Sequence, residues 1–297
     1  MTKPPVPVLI NRSGGTARAD PEIGSKVLAA FKAGGVDAKV ELLDGAKCSA
    51  RCKTLAKRGD PLIVVGGGDG TISAAAGALA GTGTTLGVLP LGTLNHFARD
   101  LGIGFDLEEA VKVIAAGKRR KVDLAEVNGR IFINNSAIGL YPLMVVDRES
   151  QQKRLGRSKR LALLIASIRT LARFHHQRLG LSANDEKEVI DTPLLFVGNN
   201  EYRVDIGAAG ERESLSDGRL CVLVLAKKTR LGFFAAGLRA LFNRARAEDM
   251  VELKDVRSLR VSSARSHLRV AVDGEVEVME PPLDYRIRAK ALNVLAP

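Results

Sequence analysis

The stretch that decides the fold is Leu-Ile-Val-Val-Gly-Gly-Gly-Asp-Gly-Thr, residues 62–71. Its first four residues are apolar, and three of them are β-branched, which predicts a fully buried strand. The glycines that follow allow a tight turn that side chains would obstruct, and a helix is predicted over residues 72–79. A strand, a glycine-rich loop and a helix N-terminus together favour a bound anion such as phosphate, because free N–H groups and the helix dipole attract negative charge.

Asp69 lies inside this loop, between two glycines, so its carboxylate is presented on nearly bare backbone. A carboxylate beside phosphate is suited to hold Mg²⁺, a hard cation that both kinds of oxygen can share. Two known phosphate-binding motifs do not fit this loop. It lacks the lysine of a P-loop, and the spacing of its glycines differs from that of the dinucleotide-binding fingerprint. A glycine-rich turn with a helix-capping aspartate is the purely structural alternative.

The composition limits the classes of protein to consider. A chain of 297 residues allows one large or two ordinary domains. No run of 18 uncharged apolar residues occurs, and the first residues lack the apolar core of a signal peptide. We therefore expect a cytoplasmic protein in which Cys48, Cys52 and Cys221 are reduced thiols. The net charge of +12 indicates a polyanionic partner, whereas only 4% aromatic residues disfavour a base-stacking surface.

Strands and helices alternate over the first 120 residues or so, which predicts a parallel sheet covered by helices on both faces. Strands are predicted at residues 6–10, 36–43, 62–65 and 86–89, and helices after Asp20 and at residues 48–58, 72–79 and 107–116. Polar loops follow three of the strands, around Ser13, Asp69 and Thr93. Since ligands bind outside the carboxyl ends of such strands, one crevice is expected to gather these loops, together with Asn11.

The pattern changes after residue 121. A hairpin with a type I′ turn is predicted at Asn128-Gly129, and strand-like runs follow at residues 189–197, 220–225, 251–253, 259–262, 267–272 and 285–292. These runs predict an antiparallel, mostly β second domain, interrupted by helices over residues 158–174 and 231–242. The first of these helices belongs to a segment, residues 151–178, with eight Lys and Arg and no acidic residue. A basic amphipathic helix favours an anionic membrane surface; a core-packing helix with a solvated basic face is the alternative.

Three motifs occur in a specific order: Gly-Gly-Asp-Gly-Thr at residues 67–71, Leu-Pro-Leu-Gly-Thr-Leu-Asn at residues 89–95 and Asp-Gly-Glu at residues 273–275. Together they resemble the diacylglycerol kinase catalytic-domain family, in particular soluble bacterial lipid kinases that include sphingosine-kinase relatives. The resemblance covers nearly the whole chain. It implies an N-terminal parallel-sheet α/β lobe, similar to NAD kinase and phosphofructokinase, and a C-terminal antiparallel β-rich lobe. The expected domains are residues 1–120 and 121–290, with residues 291–297 returning to the first lobe.

The resemblance also implies roles for individual residues. Glu275 corresponds to the general base of the family, and Asp273 is a competing candidate for that role. Asp69 is the second catalytic candidate, because it could bind Mg²⁺ on the nucleotide. Asp217 corresponds to an aspartate of a structural Mg²⁺ site that backbone carbonyls of Ser214 and Arg219 complete. The nucleotide-binding candidates lie in the post-strand loops, and they are Asn11, Arg12, Ser13, Gly14, Gly67, Gly68, Asp69, Gly70, Thr71 and Thr93.

The function that the resemblance implies is ATP- and Mg²⁺-dependent transfer of a γ-phosphate to a hydroxyl of a diacylglycerol- or sphingoid-type lipid, within phospholipid biosynthesis. The expected partners are the lipid and an anionic membrane surface at the inner membrane face; a homodimer is left open and nucleic acid is not expected. The alternatives are an NAD kinase-like phosphotransferase and a non-catalytic basic protein that binds lipid or nucleic acid. The chain departs from the family pattern at Arg12, Ala74 and His96, and these departures concern the details of nucleotide binding.

Overall fold

The computed structural model describes residues 4–139, 176–184, 186–202, 212, 214–225 and 250–297. The predicted helices at residues 158–174 and 231–242 lie outside the described residues, as does most of the basic segment. In the part of the chain that the structure describes, no helix combines the length and the apolar character needed to cross a bilayer.

The first lobe is an alternating α/β structure. Its elements are β1 (Val6–Asn11), α1 (Gly15–Ala19), α2 (Ile23–Ala33), β2 (Ala38–Leu43), α3 (Gly45–Arg58), β3 (Leu62–Gly67), α4 (Asp69–Leu79), β4 (Thr85–Pro90), α5 (His96–Asp100) and α6 (Leu107–Ala116). The strands pair in parallel in the order β2-β1-β3-β4. The central strands are fully buried, as the apolar runs predict, and α2 packs with α6 while α3 packs with α4.

The helix ends differ slightly from the prediction. Helix α4 begins at Asp69, two residues before Thr71, so the aspartate belongs to the first turn of the helix. Helix α2 begins at Ile23 rather than at Pro21, because the Asp20 carboxylate accepts the Glu22 N–H (3.0 Å) in a turn before the helix. The short helix α1 was not predicted. Helix α6 has the predicted bounds, and its N-cap Asp106 accepts two backbone N–H groups.

The rest of the described chain is β-structure. Its strands are β5 (Arg119–Val127), β6 (Arg130–Phe132), β7 (Asn135–Gly139), β8 (Gln177–Ala183), β9 (Glu186–Thr192), β10 (Leu194–Asn199), β11 (Leu220–Leu225), β12 (Met250–Val256), β13 (Ser258–Ser263), β14 (Leu268–Val272), β15 (Glu275–Met279) and β16 (Leu283–Leu295). An antiparallel sheet has the order β12-β11-β10-β7-β14-β15. Asn128 and Gly129 both have positive φ (46° and 82°), which confirms the predicted turn between β5 and β6.

The predicted strand at residues 189–197 is wrong. The run divides at Pro193 into β9 and β10, which belong to different sheets. Proline has no N–H to donate to a ladder, so it separates the two strands. Strands β7, β8 and β15 were not predicted. Strand β15 is short, lies at a sheet edge and is half-exposed, so it lacks the apolar run that marks a buried strand.

The last strand joins the two lobes. Strand β16 pairs antiparallel with β13 and β5 over most of its length, and its end pairs in parallel with β4, at Asn293↔Thr85 and Val294↔Leu86. The first sheet therefore continues from the α/β lobe into the β-rich lobe. A parallel-sheet α/β lobe with an antiparallel β-rich lobe is the predicted fold class, and it is confirmed. The division at residue 120 stays a prediction.

The cysteines are buried free thiols. Burial raises the pKa of Cys48 and of Cys221 to about 11 and the pKa of Cys52 to about 12. These thiols therefore stay protonated and inert at neutral pH.

Candidate active site

The loops that follow three parallel strands meet backbone to backbone at one end of the sheet. A Cβ on Gly92 would lie 2.4 Å from Gly68 Cα, so the loop after β4 leaves no room for a side chain at this contact. Gly15 has a positive φ (+55°), and a Cβ there would lie 2.0 Å from the Leu91 carbonyl oxygen. Glycine is therefore required where these loops cross. Their packing brings the carboxyl ends of β1, β3 and β4 to one place.

A cleft of about 610 Å³ opens over these loops. Both catalytic candidates, Asp69 from the α/β lobe and Glu275 from the β-rich lobe, line it. The other predicted residues that line it are Asn11, Gly14, Gly68, Gly70, Thr71 and Thr93. The lining residues that were not predicted are Gly15, Gly45, Ala46, Ser49, Ala74, Gly92 and Arg130. Two separate lobes thus face the same opening.

Asn11 connects the first loop to the second. Its Nδ2 donates to Thr71 Oγ1 (2.8 Å), and its Oδ1 accepts the Ser13 N–H (3.0 Å). The side chains of Arg12 and Ser13 point to Asp44 instead, with Arg12 Nε at 3.0 Å and Ser13 Oγ at 3.2 Å from Asp44 Oδ1. These hydrogen bonds hold the pKa of Asp44 below its usual value, and the one from Arg12 has the larger effect. Arg12 and Ser13 are thus not among the residues that line the cleft.

Asp69 is half-buried in the first turn of α4, where the helix dipole favours an anion. Its Oδ1 accepts a long hydrogen bond from the Phe97 N–H (3.5 Å), while Oδ2 has no hydrogen bond to any residue that the structure describes. A carboxylate with so few protein partners fits the oxygen ligand that Mg²⁺ prefers. Asn95 supports the neighbouring loop, because its side chain accepts the Gly92 N–H (2.9 Å) and donates to the Pro90 carbonyl (3.2 Å).

Glu275 approaches from the other lobe. It is the first residue of β15, its side chain is 62% exposed, and its Oε1 lies 3.4 Å from the position of a Cβ on Gly70. Arg130 Nη2 donates to Glu275 Oε2 (3.0 Å), and Arg130 Nε lies 2.9 Å from Glu277 Oε1. Arg130 was missed because a single arginine after a hairpin turn carries no distinguishing signal in the sequence.

Asp273, the competing base candidate, is tied to the protein. Its carboxylate accepts the N–H groups of Ile133 (2.9 Å), Asn134 (2.8 Å) and Asn135 (3.1 Å), and also the Ser73 hydroxyl. Burial raises the pKa of Asp273, and these hydrogen bonds act in the opposite direction. Since its oxygens are engaged by four donors, Asp273 joins α4 to the β-rich lobe, whereas Glu275 faces the cleft.

The predicted Mg²⁺ loop around Asp217 lies apart from the cleft, because none of Ser214, Asp217 and Arg219 lines it. Asp217 donates its N–H to Asn200 Oδ1 (3.0 Å), and the Arg219 carbonyl accepts the Asn200 N–H (3.1 Å). The exposed Asp217 carboxylate has no hydrogen bond or ion pair within the described residues. These residues also hold no cluster of three or more His, Cys, Asp or Glu that could bind a metal. A free carboxylate is an oxygen ligand of the kind that Mg²⁺ prefers.

Two family models match the chain. The model of the diacylglycerol kinase catalytic domain matches residues 5–127, and that of the YegS C-terminal NAD kinase beta sandwich-like domain matches residues 144–296, which is more than half of the chain. The chain belongs to the diacylglycerol kinase and YegS-like family of lipid kinases. The predicted membership is therefore confirmed.

Relatives of this lipid kinase span most of its length. The protein named "Probable lipid kinase YegS-like" of Pseudomonas syringae pv. syringae is 31% identical over 79% of this chain and 75% of its own. The diacylglycerol kinase of Bacillus subtilis is 27% identical over 77% of this chain and 76% of its own. An uncharacterized Synechocystis protein, sll0036, is 28% identical over 80% of this chain but only 55% of its own length.

A solved structure shares the fold. A diacylglycerol kinase of Bacillus anthracis superposes with a TM-score of 0.74 at 22% identity, covering 99% of this chain and 97% of the other. At this identity the similarity shows a shared fold only, and the shared fold includes both lobes.

A buried ion pair holds the two lobes of the lipid kinase together. Arg212 Nε and Nη2 lie 2.8 Å and 2.5 Å from Asp100 Oδ2, and the two side chains are 0% and 6% exposed. Arg212 Nη1 also donates to the carbonyls of Ile133 (2.6 Å) and Asn199 (3.2 Å). Asp100 ends α5, the helix that follows the Thr93 loop, so this pair joins that helix to the β-rich lobe. The sequence gives no hint of it, because the partners are 112 residues apart.

Replacing Gly92 by alanine is expected to destabilise the lipid kinase by about 1–3 kcal/mol, since the new Cβ would overlap Gly68 Cα and force the two loops apart. Urea unfolding of the purified variant measures the change. Gly24→Ala is the matched control, because its Cβ meets only ordinary contacts in α2 and helix propensity favours alanine by about 0.5–1 kcal/mol. Equal midpoints for Gly92→Ala and the wild-type protein would contradict the close packing of the loops.

Proposed function

We propose that this lipid kinase transfers the γ-phosphate of ATP, with Mg²⁺, to a hydroxyl group of a diacylglycerol- or sphingoid-type lipid. The observation that carries the proposal is the shared cleft, in which Asp69 of the α/β lobe and Glu275 of the β-rich lobe line one opening. Phosphoryl transfer needs positioned phosphates, cations to offset their charge and a base for the attacking hydroxyl. The residues of the cleft offer each of these.

The α/β lobe is suited to hold the nucleotide. The stretch at residues 67–71 contains the N-terminus of α4, whose unpaired N–H groups favour phosphate. Asp69 would hold Mg²⁺ through its free carboxylate oxygen, and the Asn11–Thr71 hydrogen bond keeps the first loop against the second. When bound, ATP supplies the transferable phosphoryl group and Mg²⁺ offsets its charge. The protein's part is to fix the position of the phosphates at the carboxyl ends of the strands.

The β-rich lobe is suited to act on the acceptor. Glu275 is exposed to the cleft, so its carboxylate can take the proton of an incoming hydroxyl at Oε1, the oxygen nearer to Gly70. Asp273 holds the preceding turn in place through its four hydrogen bonds. We assign the base role to Glu275 for this reason. The Asp217 loop, with Ser214 and Arg219, is proposed as a structural Mg²⁺ site outside the cleft.

We also propose that the enzyme works at an anionic membrane surface, as a peripheral protein at the inner membrane face, in phospholipid biosynthesis. The net charge of +12 supports this contact, because basic residues are attracted to anionic lipid headgroups. The division into a nucleotide lobe, residues 1–120, and a lipid lobe, residues 121–290, follows the same proposal. A homodimer is compatible with it but is not required by the site, since both catalytic candidates come from one chain.

Label transfer from γ-labelled ATP tests the substrate class. The purified protein is incubated with Mg²⁺ and vesicles that contain diacylglycerol or sphingosine, and in parallel with NAD as a soluble acceptor. We expect label in the lipid fraction, its loss with excess EDTA and its return when Mg²⁺ is restored. Label in NAD but in no lipid would replace the proposal by an NAD kinase-like activity, and absence of label in every acceptor would overturn the kinase assignment.

A further inference from the structure

The charge of the cleft is unbalanced for a triphosphate site. Among the described residues that line it, the charged side chains are Asp69, Glu275 and Arg130. Two carboxylates therefore face a single cation. Kinases offset the charge of the transferring phosphoryl group with Lys or Arg as well as with metal. Arg130 is the one described lining residue whose side chain can supply that positive charge.

The position of Arg130 is well defined. It is the first residue of β6 and directly follows the Asn128-Gly129 turn, so its backbone belongs to a hairpin. Nε lies 2.9 Å from Glu277 Oε1, and Nη2 donates to Glu275 Oε2 (3.0 Å). Nη1 has no hydrogen bond to any residue within the described ranges, although the side chain is only 37% exposed. Glu275 thus accepts a hydrogen bond from the guanidinium and Glu277 forms an ion pair with it, while neither Nε nor Nη1 donates a hydrogen bond to a described residue.

We propose that Arg130 is a further catalytic residue, whose guanidinium binds the transferring phosphoryl group of the nucleotide from the β-rich lobe. The inference rests on the proposed function. Glu277, which does not line the cleft, forms an ion pair with Arg130 at Nε, so Nη1 would be available to bind phosphate oxygens. A planar guanidinium suits this task because its forked donors match phosphate oxygens.

In the proposed reaction, no bond to Arg130 forms or breaks. The lipid oxygen forms a bond to the γ-phosphorus, and the bond from that phosphorus to the bridging oxygen of ADP breaks, so that its electron pair leaves with ADP. The hydroxyl proton passes to Glu275. Arg130 stays protonated throughout, and its contribution is electrostatic, because charge on the phosphoryl oxygens is offset where it lies.

The alternative is a structural role, in which Arg130 only holds the Glu275 side chain. The two roles differ in nucleotide binding without any lipid present. A residue that contacts the γ-phosphate discriminates ATP from ADP, whereas a residue that only orients Glu275 has no reason to do so. Binding of the two nucleotides is therefore the decisive readout, and it does not depend on turnover.

The experiment compares Arg130→Met, Arg130→Lys and Glu275→Gln by calorimetric titration of the full chain with Mg²⁺-ATP and Mg²⁺-ADP. Arg130→Met is expected to weaken ATP binding by about 10- to 100-fold, as for a lost charged hydrogen bond, and to leave ADP binding unchanged. Arg130→Lys keeps the charge and is expected to lose less. Glu275→Gln removes a carboxylate that competes for Arg130, so ATP is expected to bind about two- to five-fold more tightly.

The matched control is Arg269→Met, an exposed arginine on β14 that does not line the cleft, and it should bind both nucleotides like the wild-type protein. Equal losses for ATP and ADP, or none, in Arg130→Met would overturn the inference while leaving the proposed function standing. If Arg130→Met does not fold, Arg130→Lys and Glu275→Gln decide, and unchanged ATP affinity in both would overturn it. A wild-type protein that binds neither nucleotide would instead reject the proposed function, and this inference with it.

Discussion

Replacing Glu275 by glutamine is expected to lower the kcat of lipid phosphorylation by about 10²- to 10⁴-fold, the usual contribution of a general base. Glutamine keeps the size and the polar character of the side chain but cannot accept the proton of the hydroxyl. Glu275 is largely exposed and lies at a strand end, so the fold should tolerate the change. Nucleotide binding should persist, because the phosphate loops belong to the other lobe. Initial rates of label transfer at saturating ATP measure the effect.

Glu280→Gln is the matched control for this variant. Glu280 is an acid just after the same strand, its side chain is 80% exposed, and it does not line the cleft. Its substitution should leave the rate at the wild-type level. A Glu275→Gln enzyme with wild-type kcat would remove Glu275 from the base role, and Asp273→Asn would then be the next variant to assay.

Replacing Arg212 by methionine is expected to lower the free energy of unfolding by about 3–5 kcal/mol, the usual consequence of removing one member of a buried ion pair. The change leaves the Asp100 carboxylate buried without its cation, and it also removes the donors to the Ile133 and Asn199 carbonyls. Because the pair joins α5 to the β-rich lobe, unfolding in urea should become less cooperative as well. Equilibrium unfolding, followed by circular dichroism, measures both effects.

Arg260→Met provides the comparison for an exposed pair. Arg260 and Asp284 are 61% and 52% exposed, so loss of this ion pair should lower the free energy of unfolding far less than loss of the buried pair. The double variant Arg212→Met with Asp100→Leu should recover part of the lost stability, since it removes the unpaired charge but leaves the two carbonyls without donors. Equal losses for Arg212→Met and Arg260→Met would show that the buried pair does not hold the lobes together.

Local signals predict much of the fold. The apolar run before Asp69 identifies β3, the Asn128-Gly129 pair identifies the hairpin, and the helix predicted over residues 107–116 has the bounds of α6. Each of these features depends on neighbours within a few residues. Strand β4 is predicted for the same reason, because its residues 86–89 form a short run without polar side chains. Loops after such strands meet at one edge of a parallel sheet, which is why the cleft on the α/β side is predictable.

Contacts between residues that are far apart in the sequence could not be predicted from local sequence patterns. The partners Arg130 and Glu275 are separated by 145 residues, and Arg212 is 112 residues from Asp100. The local sequence around each arginine does not distinguish it from an ordinary exposed arginine. Only the fold shows which residues each one contacts. The split at Pro193 is the opposite case, because its signal was present in the sequence but the apolar residues on both sides outweighed it.

We propose that carboxylates from the two lobes act together on one phosphoryl transfer. The most direct measurement is label transfer from γ-labelled ATP to lipid by Asp69→Ala and Glu275→Ala, beside the wild-type protein and an exposed-acid control, Glu188→Ala on β9. Both cleft variants are expected to lose transfer, whereas the control should retain it. Transfer at the wild-type rate in both cleft variants would exclude a joint role of Asp69 and Glu275 in the reaction.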